Sequence, residues 1–196
     1  MTSPGLRERK KARTRAAIRE HALRLFEEQG YAATTVDQIA EAADVSPSTF
    51  FRYFPTKEDV VLADDYDPLL LQALREQPAD VHPVEAVKRA IRQVFSAVSA
   101  EDWAVERRRQ GILQSVTDLR ARALHQYTST MGQLAGAVAE RAGLPADDFS
   151  ARVLAGAVMG VCLAALPGGA MSFDEREFVN LDRALDLLQA GLPLEP

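Results

Sequence analysis

The chain has 196 residues, 47% of them hydrophobic, with a single cysteine and a formal net charge of −5. That is enough apolar material for one larger or two small cored domains, while the lone thiol, Cys162, excludes an internal disulfide and suits a reducing cytoplasm. An acidic total argues against a nucleic-acid partner, but residues 1–57 hold ten Lys/Arg and seven Asp/Glu, net +3, whereas residues 58–196 hold thirteen and twenty-one, net −8. The exclusion therefore applies to the second part only.

The N-terminal run MTSPGLRERKKARTR is basic but precedes no apolar stretch, so it is no secretory signal. Its arm, Arg7 to Arg15, is expected to be disordered when free. A first helix is predicted from about Arg9 to Gln29, with Ile18, Ala22, Leu25 and Phe26 on one face and Gly30 as its left-handed stop. Tyr31 should pack back on the core. Between Thr34 and Asp59 three helix starts follow in quick succession: Thr35 with Gln38 as a capping box, Ser46 before Pro47, and Thr56 before Lys57-Glu58-Asp59. The first of these short helices turns Val36, Ile39 and Ala40 inward, and Val45 plugs the turn. The second, about two turns long, places Phe50 and Phe54 on one side and Ser48, Phe51 and Arg52 on the others. Two short helices around a tight turn are the geometry of a recognition helix in a DNA major groove.

From Lys57 a helix is predicted to about Glu76, kinked or interrupted by Pro68. Pro83 opens the next, whose apolar positions Val84, Val87, Ile91, Val94 and Val98 step by three and four. A shorter segment from Trp103 to Gln114 carries the triplet Arg107-Arg108-Arg109, and a long helix from about Val116 to Ala142 puts Leu124, Tyr127, Met131, Leu134 and Val138 on one stripe. Gly143 and Pro145 stop it. A helix from Asp147 to about Leu166 is apolar nearly all round, but its uncharged stretch from Val153 is interrupted by Pro167-Gly168-Gly169 after fourteen residues, short of the ~20 needed to span a bilayer, so no membrane partner is expected. The last helix, Ser172 to Ala190, spaces Phe178, Leu181, Leu185 and Leu188 as in a heptad repeat. A helix apolar all round needs cover, which a symmetric dimer supplies through an intermolecular four-helix bundle; Gly156 and Gly160 allow close approach there. Strand signals are almost absent, so the expected fold is all-α: a three-helix helix-turn-helix domain over residues 1–57 and a helical ligand-binding and dimerisation domain over residues 58–196, about nine helices in all.

The run GYAATTVDQIAEAADVSPSTFFRYFPTKEDVV resembles the N-terminal domain of TetR-family transcriptional regulators, closely over residues 10–62 and in outline beyond. The resemblance implies phosphate contacts from Thr34 or Thr35 and from Lys57, a backbone contact from Tyr53, and approach to base edges by Ser46, Pro47, Ser48, Phe51 and Arg52. Among these only Arg52 can grip guanine with two hydrogen bonds. Two departures stand out: Asp44 occupies a turn position where the family often has glycine, and Phe51 lacks the hydroxyl of the tyrosine common there. The resemblance also implies a cytoplasmic homodimer that binds a palindromic operator and is released by a hydrophobic small-molecule effector, acyl-CoA-like if the fainter C-terminal likeness holds. Phe95, Trp103, Leu113, Gln114, Tyr127 and Met131 are the expected pocket lining, and Arg107 the expected partner of an anionic group.

Enzyme chemistry has little to stand on. His21, His82 and His125 are far apart without metal-ligand spacing, no phosphate-binding loop or nucleophile elbow occurs, and no cofactor is expected. The remaining alternative is a helical protein-binding adaptor or structural homodimer that does not bind DNA.

Overall fold

The computed structural model describes residues 5–165 and 175–193, and every regular element among them is helical. Ten helices follow in order: α1 (Leu6–Gln29), α2 (Val36–Ala42), α3 (Pro47–Tyr53), α4 (Lys57–Leu62), α5 (Asp67–Arg75), α6 (Pro83–Phe95), α7 (Ala100–Ser115), α8 (Thr117–Ala142), α9 (Phe149–Ala165) and α10 (Glu175–Gln189). The expected Pro167-Gly168-Gly169 interruption and the Ser172 helix start lie outside the described residues.

Two compact units make up the chain. The first comprises residues 1–63 together with Arg108–Arg120, the second residues 64–107 and 121–196. A boundary drawn at residue 57 thus falls inside the first unit, because α4 packs on α1 and the helical segment from Arg108 joins it from later in the chain.

Short elements of the first unit are held by their ends. Thr35 and Gln38 form the reciprocal capping box that starts α2, and Thr56 with Asp59 forms another at α4. Asp44 adopts φ 51°, the left-handed conformation that aspartate tolerates better than most side chains, so the turn survives without glycine. Gly30 ends α1 at φ 88°, and Tyr31 folds back onto Phe26 with ring centroids 5.0 Å apart. The residues of the arm belong to α1, which is continuous from Leu6.

The helix predicted from Lys57 to Glu76 is two helices, α4 in the first unit and α5 in the second. The break falls at residues 63–66, where Asp64 Oδ1 accepts from the Tyr66 and Asp67 amides, and Pro68 then sits in the first turn of α5, where proline is tolerated. The core gathers Leu71 and Leu74 of α5, Val84, Val87 and Phe95 of α6, Leu134 and Val138 of α8, Ala155 and Val158 of α9, and Leu181 and Leu185 of α10. The α8 stripe is therefore shifted from the predicted one, for Leu124 is 64% and Met131 37% exposed while Ala135, Ala137 and Ala139 are buried. Alanine faces permit closer helix approach than the larger side chains would. Tyr66, Phe95, Trp103 and Phe178 form a ring cluster at centroid separations of 5.1–6.2 Å.

An ion cluster ties α10 to α6. Lys88, almost wholly buried, pairs with Asp186 and lies 3.8 Å from Asp182 and 3.6 Å from Glu85. The hydrogen bond to Asp186 outweighs burial and holds the ammonium above the ordinary lysine value. Tyr66 is pushed up to about 12 by burial and by the nearby Glu106 and Asp102 carboxylates. Both groups bind their proton more tightly when folded, so their stabilisation is complete below their unfolded values, about 10 for each, and is lost as pH rises through the folded ones. Urea midpoints should therefore fall above about pH 10, and Lys88→Met and Tyr66→Phe should each flatten part of that fall; a midpoint unchanged by pH in this window counts against both shifts.

Candidate DNA-binding face and effector cavity

α3 is built to present one face. Ser46 Oγ accepts from the Thr49 amide at 3.1 Å, Pro47 occupies the first turn, and Phe50 and Phe54, each 0% exposed, anchor the helix from beneath. Ser48, Phe51 and Arg52 are left exposed, Phe51 at 51%, and the Arg52 guanidinium lies 5.4 Å from the Tyr53 ring. A guanidinium parked on an aromatic ring is held near the face while its N–H groups remain directed outward.

Two basic residues of α1 serve the fold rather than a phosphate. Arg15 donates to the Tyr53 carbonyl at 3.2 Å with its guanidinium 4.5 Å from the Phe54 ring, and Arg19 donates to the Ala63 carbonyl at 3.0 Å. Net charge gave no sign of this division. Arg7, Arg9, Lys10, Lys11 and Arg13 are exposed along the first turns of α1 and supply the positive surface.

Of the two candidate threonines, Thr34 turns its side chain inward. It is 1% exposed, its hydroxyl donating toward the Gly30 and Leu25 carbonyls at 2.9 and 3.3 Å and accepting from Gln29. Thr35 is exposed and caps α2. Lys57 Nζ donates to the Tyr31 and Thr34 carbonyls at 2.8 and 3.0 Å and lies 4.2 Å from the Tyr31 ring. An ammonium has three donors, so Lys57 fixes the turn before α2 with two and keeps its charge beside the helix start.

The basic triplet of α7 is divided as well. Arg108 pairs with Glu20 at 2.7 Å and Glu27 at 2.9 Å, Arg109 is buried and donates to the Val61 carbonyl, and Arg107 alone is exposed.

A cavity of about 110 Å³ opens in the second unit among α5, α6, α8 and α9. Leu70, Ile91, Leu134 and Met159 are typical of its walls; Asp67, Thr130 and Cys162 are its polar members. None of Phe95, Trp103, Arg107, Leu113, Gln114, Tyr127 and Met131 lines it. Phe95 and Trp103 belong to the ring cluster, Leu113 is buried in the first unit, and Met131 Sδ lies 3.7 Å from where a Cβ on Gly156 would stand. Phe95 and Trp103, expected as lining from the sequence, pack in the core instead.

The expected dimer residues also divide. Leu181 and Leu185 are 3% and 1% exposed within the chain's own core, Phe178 packs edge-on against Phe95 at 5.1 Å, and Leu188 is partly buried on the same core, so this heptad-like stripe is spent inside the subunit. Gly160 is exposed on α9, and Val153 and Leu163 on α9 with Val179 and Leu187 on α10 are exposed apolar residues.

Among the described residues no group of His, Cys, Asp or Glu could hold a metal, and no helix is long and apolar enough to cross a membrane.

Comparison with known proteins agrees with this geometry. Residues 18–63 match the family of bacterial regulatory proteins of the tetR family, and residues 81–193 match the MftR C-terminal domain. The transcriptional regulator TcmR of Streptomyces glaucescens is 40% identical over 152 residues, 74% of this chain and 67% of that protein. MftR of Mycobacterium tuberculosis, named for regulation of mycofactocin biosynthesis, is 28% identical over 94% of this chain and 93% of its own. The solved structure of Thermus thermophilus FadR, a repressor crystallised in complex with lauroyl-CoA, superposes with a TM-score of 0.51 at 27% identity, covering 93% of this chain and 96% of that one.

Proposed function

The chain belongs to the TetR family of bacterial transcriptional regulators and is a DNA-binding regulator, not an enzyme; on that premise we propose that it is a cytoplasmic homodimeric repressor of a palindromic operator, released by a hydrophobic small molecule. The carrying observation is the division of α3 between a wholly buried Phe50/Phe54 underside and an exposed Ser48, Phe51 and Arg52 face. Such a face enters the major groove, with Phe51 against a thymine methyl and Arg52 on a guanine. Phosphate attraction comes from the exposed cations of α1, with Thr35 and the third N–H of Lys57 at the helix starts. The second subunit docks on Val153, Gly160 and Leu163 of α9 and Val179 and Leu187 of α10, the apolar surface left uncovered in one chain.

The effector occupies the cavity among α5, α6, α8 and α9, and its preference for one arrangement of the paired heads sets operator affinity. An acyl-CoA-like effector is favoured by the lauroyl-CoA complex of T. thermophilus FadR. The cavity of about 110 Å³ and its acidic member weigh toward a smaller molecule.

Operator fragments selected from genomic DNA provide the test. Affinity should fall steeply with salt. Arg52→Ala should cost about 1–3 kcal/mol and relax specificity at one position per half-site. Lys57→Ala should weaken all sequences alike. Salt-independent binding, or identical footprints and affinities in the two variants, would remove the recognition-helix assignment.

A further inference from the structure

The cavity in the second unit has a chemical bias that narrows its ligand. Its twelve lining residues include one charged side chain, Asp67, and no Lys, Arg or His. Thr130 Oγ1 donates to Asp67 Oδ2 at 2.9 Å, fixing the carboxylate, and the rest of the wall is aliphatic or thioether apart from Cys162. Burial pushes the Cys162 thiol up to about 11, so it is an uncharged wall atom near neutral pH. Asp67 stands in the first turn of α5.

Two consequences follow from this wall. An anionic head placed beside Asp67 meets like charge across a poorly solvated gap, whereas a protonated nitrogen gains a charge-assisted hydrogen bond. Size acts independently of charge: at about 110 Å³ the enclosed part is smaller than the dry cavity of about 150 Å³ that is enough for benzene, so it takes a short or branched alkyl group or part of one ring, with the remainder of a ligand at its open mouth.

We propose that the effector of this regulator is a small hydrophobic amine, its apolar body against Leu70, Ile91 and Leu134 and its protonated nitrogen on the Asp67 carboxylate. This rests on the reading of the cavity as the effector site.

Calorimetric titration of the full chain with benzylamine, benzyl alcohol and benzoate, which share a ring and differ in head charge, tests it. Benzylamine should bind about tenfold or more tighter than benzoate and tighter than benzyl alcohol, as a charge-assisted contact requires. Asp67→Asn should reduce benzylamine to the level of the alcohol, while Thr130→Val, which leaves the charge in place, should keep the preference. If Asp67→Asn does not fold, the ranking of the three probes on the unsubstituted chain and on Thr130→Val decides. Benzoate binding as tightly as benzylamine, a preference that survives Asp67→Asn, or no binding by any probe overturns the proposal. Operator binding measured in parallel separates the two levels: salt-dependent binding without an amine preference overturns this inference alone, whereas absence of operator binding overturns the regulatory reading beneath it.

Discussion

Phe50→Ala should lower the stability of the first unit by about 3–5 kcal/mol, the usual loss for truncating a buried phenylalanine, and abolish operator binding. Phe50 is 0% exposed, 6.0 Å from Phe54 between ring centroids and edge-on to Phe51 at 5.5 Å. α3 has seven residues, far too few for a helix to persist in water by propensity alone, so its apolar underside must hold it. The loss should appear as a lower urea midpoint and as fast hydrogen exchange across α3. Phe51→Ala is the matched control. It removes a half-exposed ring from the recognition face, so it should weaken DNA binding with little change in midpoint. A Phe50→Ala protein as stable as the parent would mean that α3 is held by something other than its underside.

Arg109→Leu should cost about 1.5–3 kcal/mol, the worth of a hydrogen bond to a charged group. Arg109 is 2% exposed and donates to the Val61 carbonyl, while Arg19 donates to the Ala63 carbonyl at 3.0 Å. α4 spans six residues, so the carbonyls of its last turn lack partners within the helix. Two guanidinium groups at its C-terminal end satisfy carbonyls there and complement the dipole. Arg109→Lys should recover only part of the loss, because an ammonium cannot reproduce the planar fork. Calorimetry should place the transition of the first unit lower by roughly 4–8 °C per kcal/mol, as expected for a domain of 60–100 residues. An unshifted transition would assign the closure of α4 to Arg19 alone.

Much of the first unit was legible because short helices declare themselves through their ends. Thr35 with Gln38, Ser46 with Pro47, and Thr56 each mark a start that the hydrogen bonds reproduce, and Asp44 takes the left-handed turn its chemistry permits. What stayed hidden was tertiary. In the sequence Arg15 and Arg19 enter only as part of the net +3 of residues 1–57, and a charge count cannot distinguish an exposed guanidinium from one spent on a carbonyl. Thr34 and Thr35 are equivalent as letters, and only packing shows which hydroxyl turns inward. In the second unit the large residues of α8 do not mark its inner face, for Ala135, Ala137 and Ala139 are buried and Leu124 is exposed. Periodicity locates a face only when large residues occupy it. Asp67 carries no signal in the sequence, where one acid beside a proline is an ordinary helix start; its meaning arises from Thr130, 63 positions away.

The ring cluster gives the molecule a built-in optical probe. Trp103 is the sole tryptophan in the sequence, and it lies with Tyr66, Phe95 and Phe178 in the same unit as the cavity. Red-edge excitation of the indole therefore reports on that unit alone, with the helices of the first unit contributing no emission. Its neighbour Tyr66 immediately precedes Asp67, so quenching or a spectral shift on adding a candidate inducer can be followed without labels, and separately from any dye carried by the DNA.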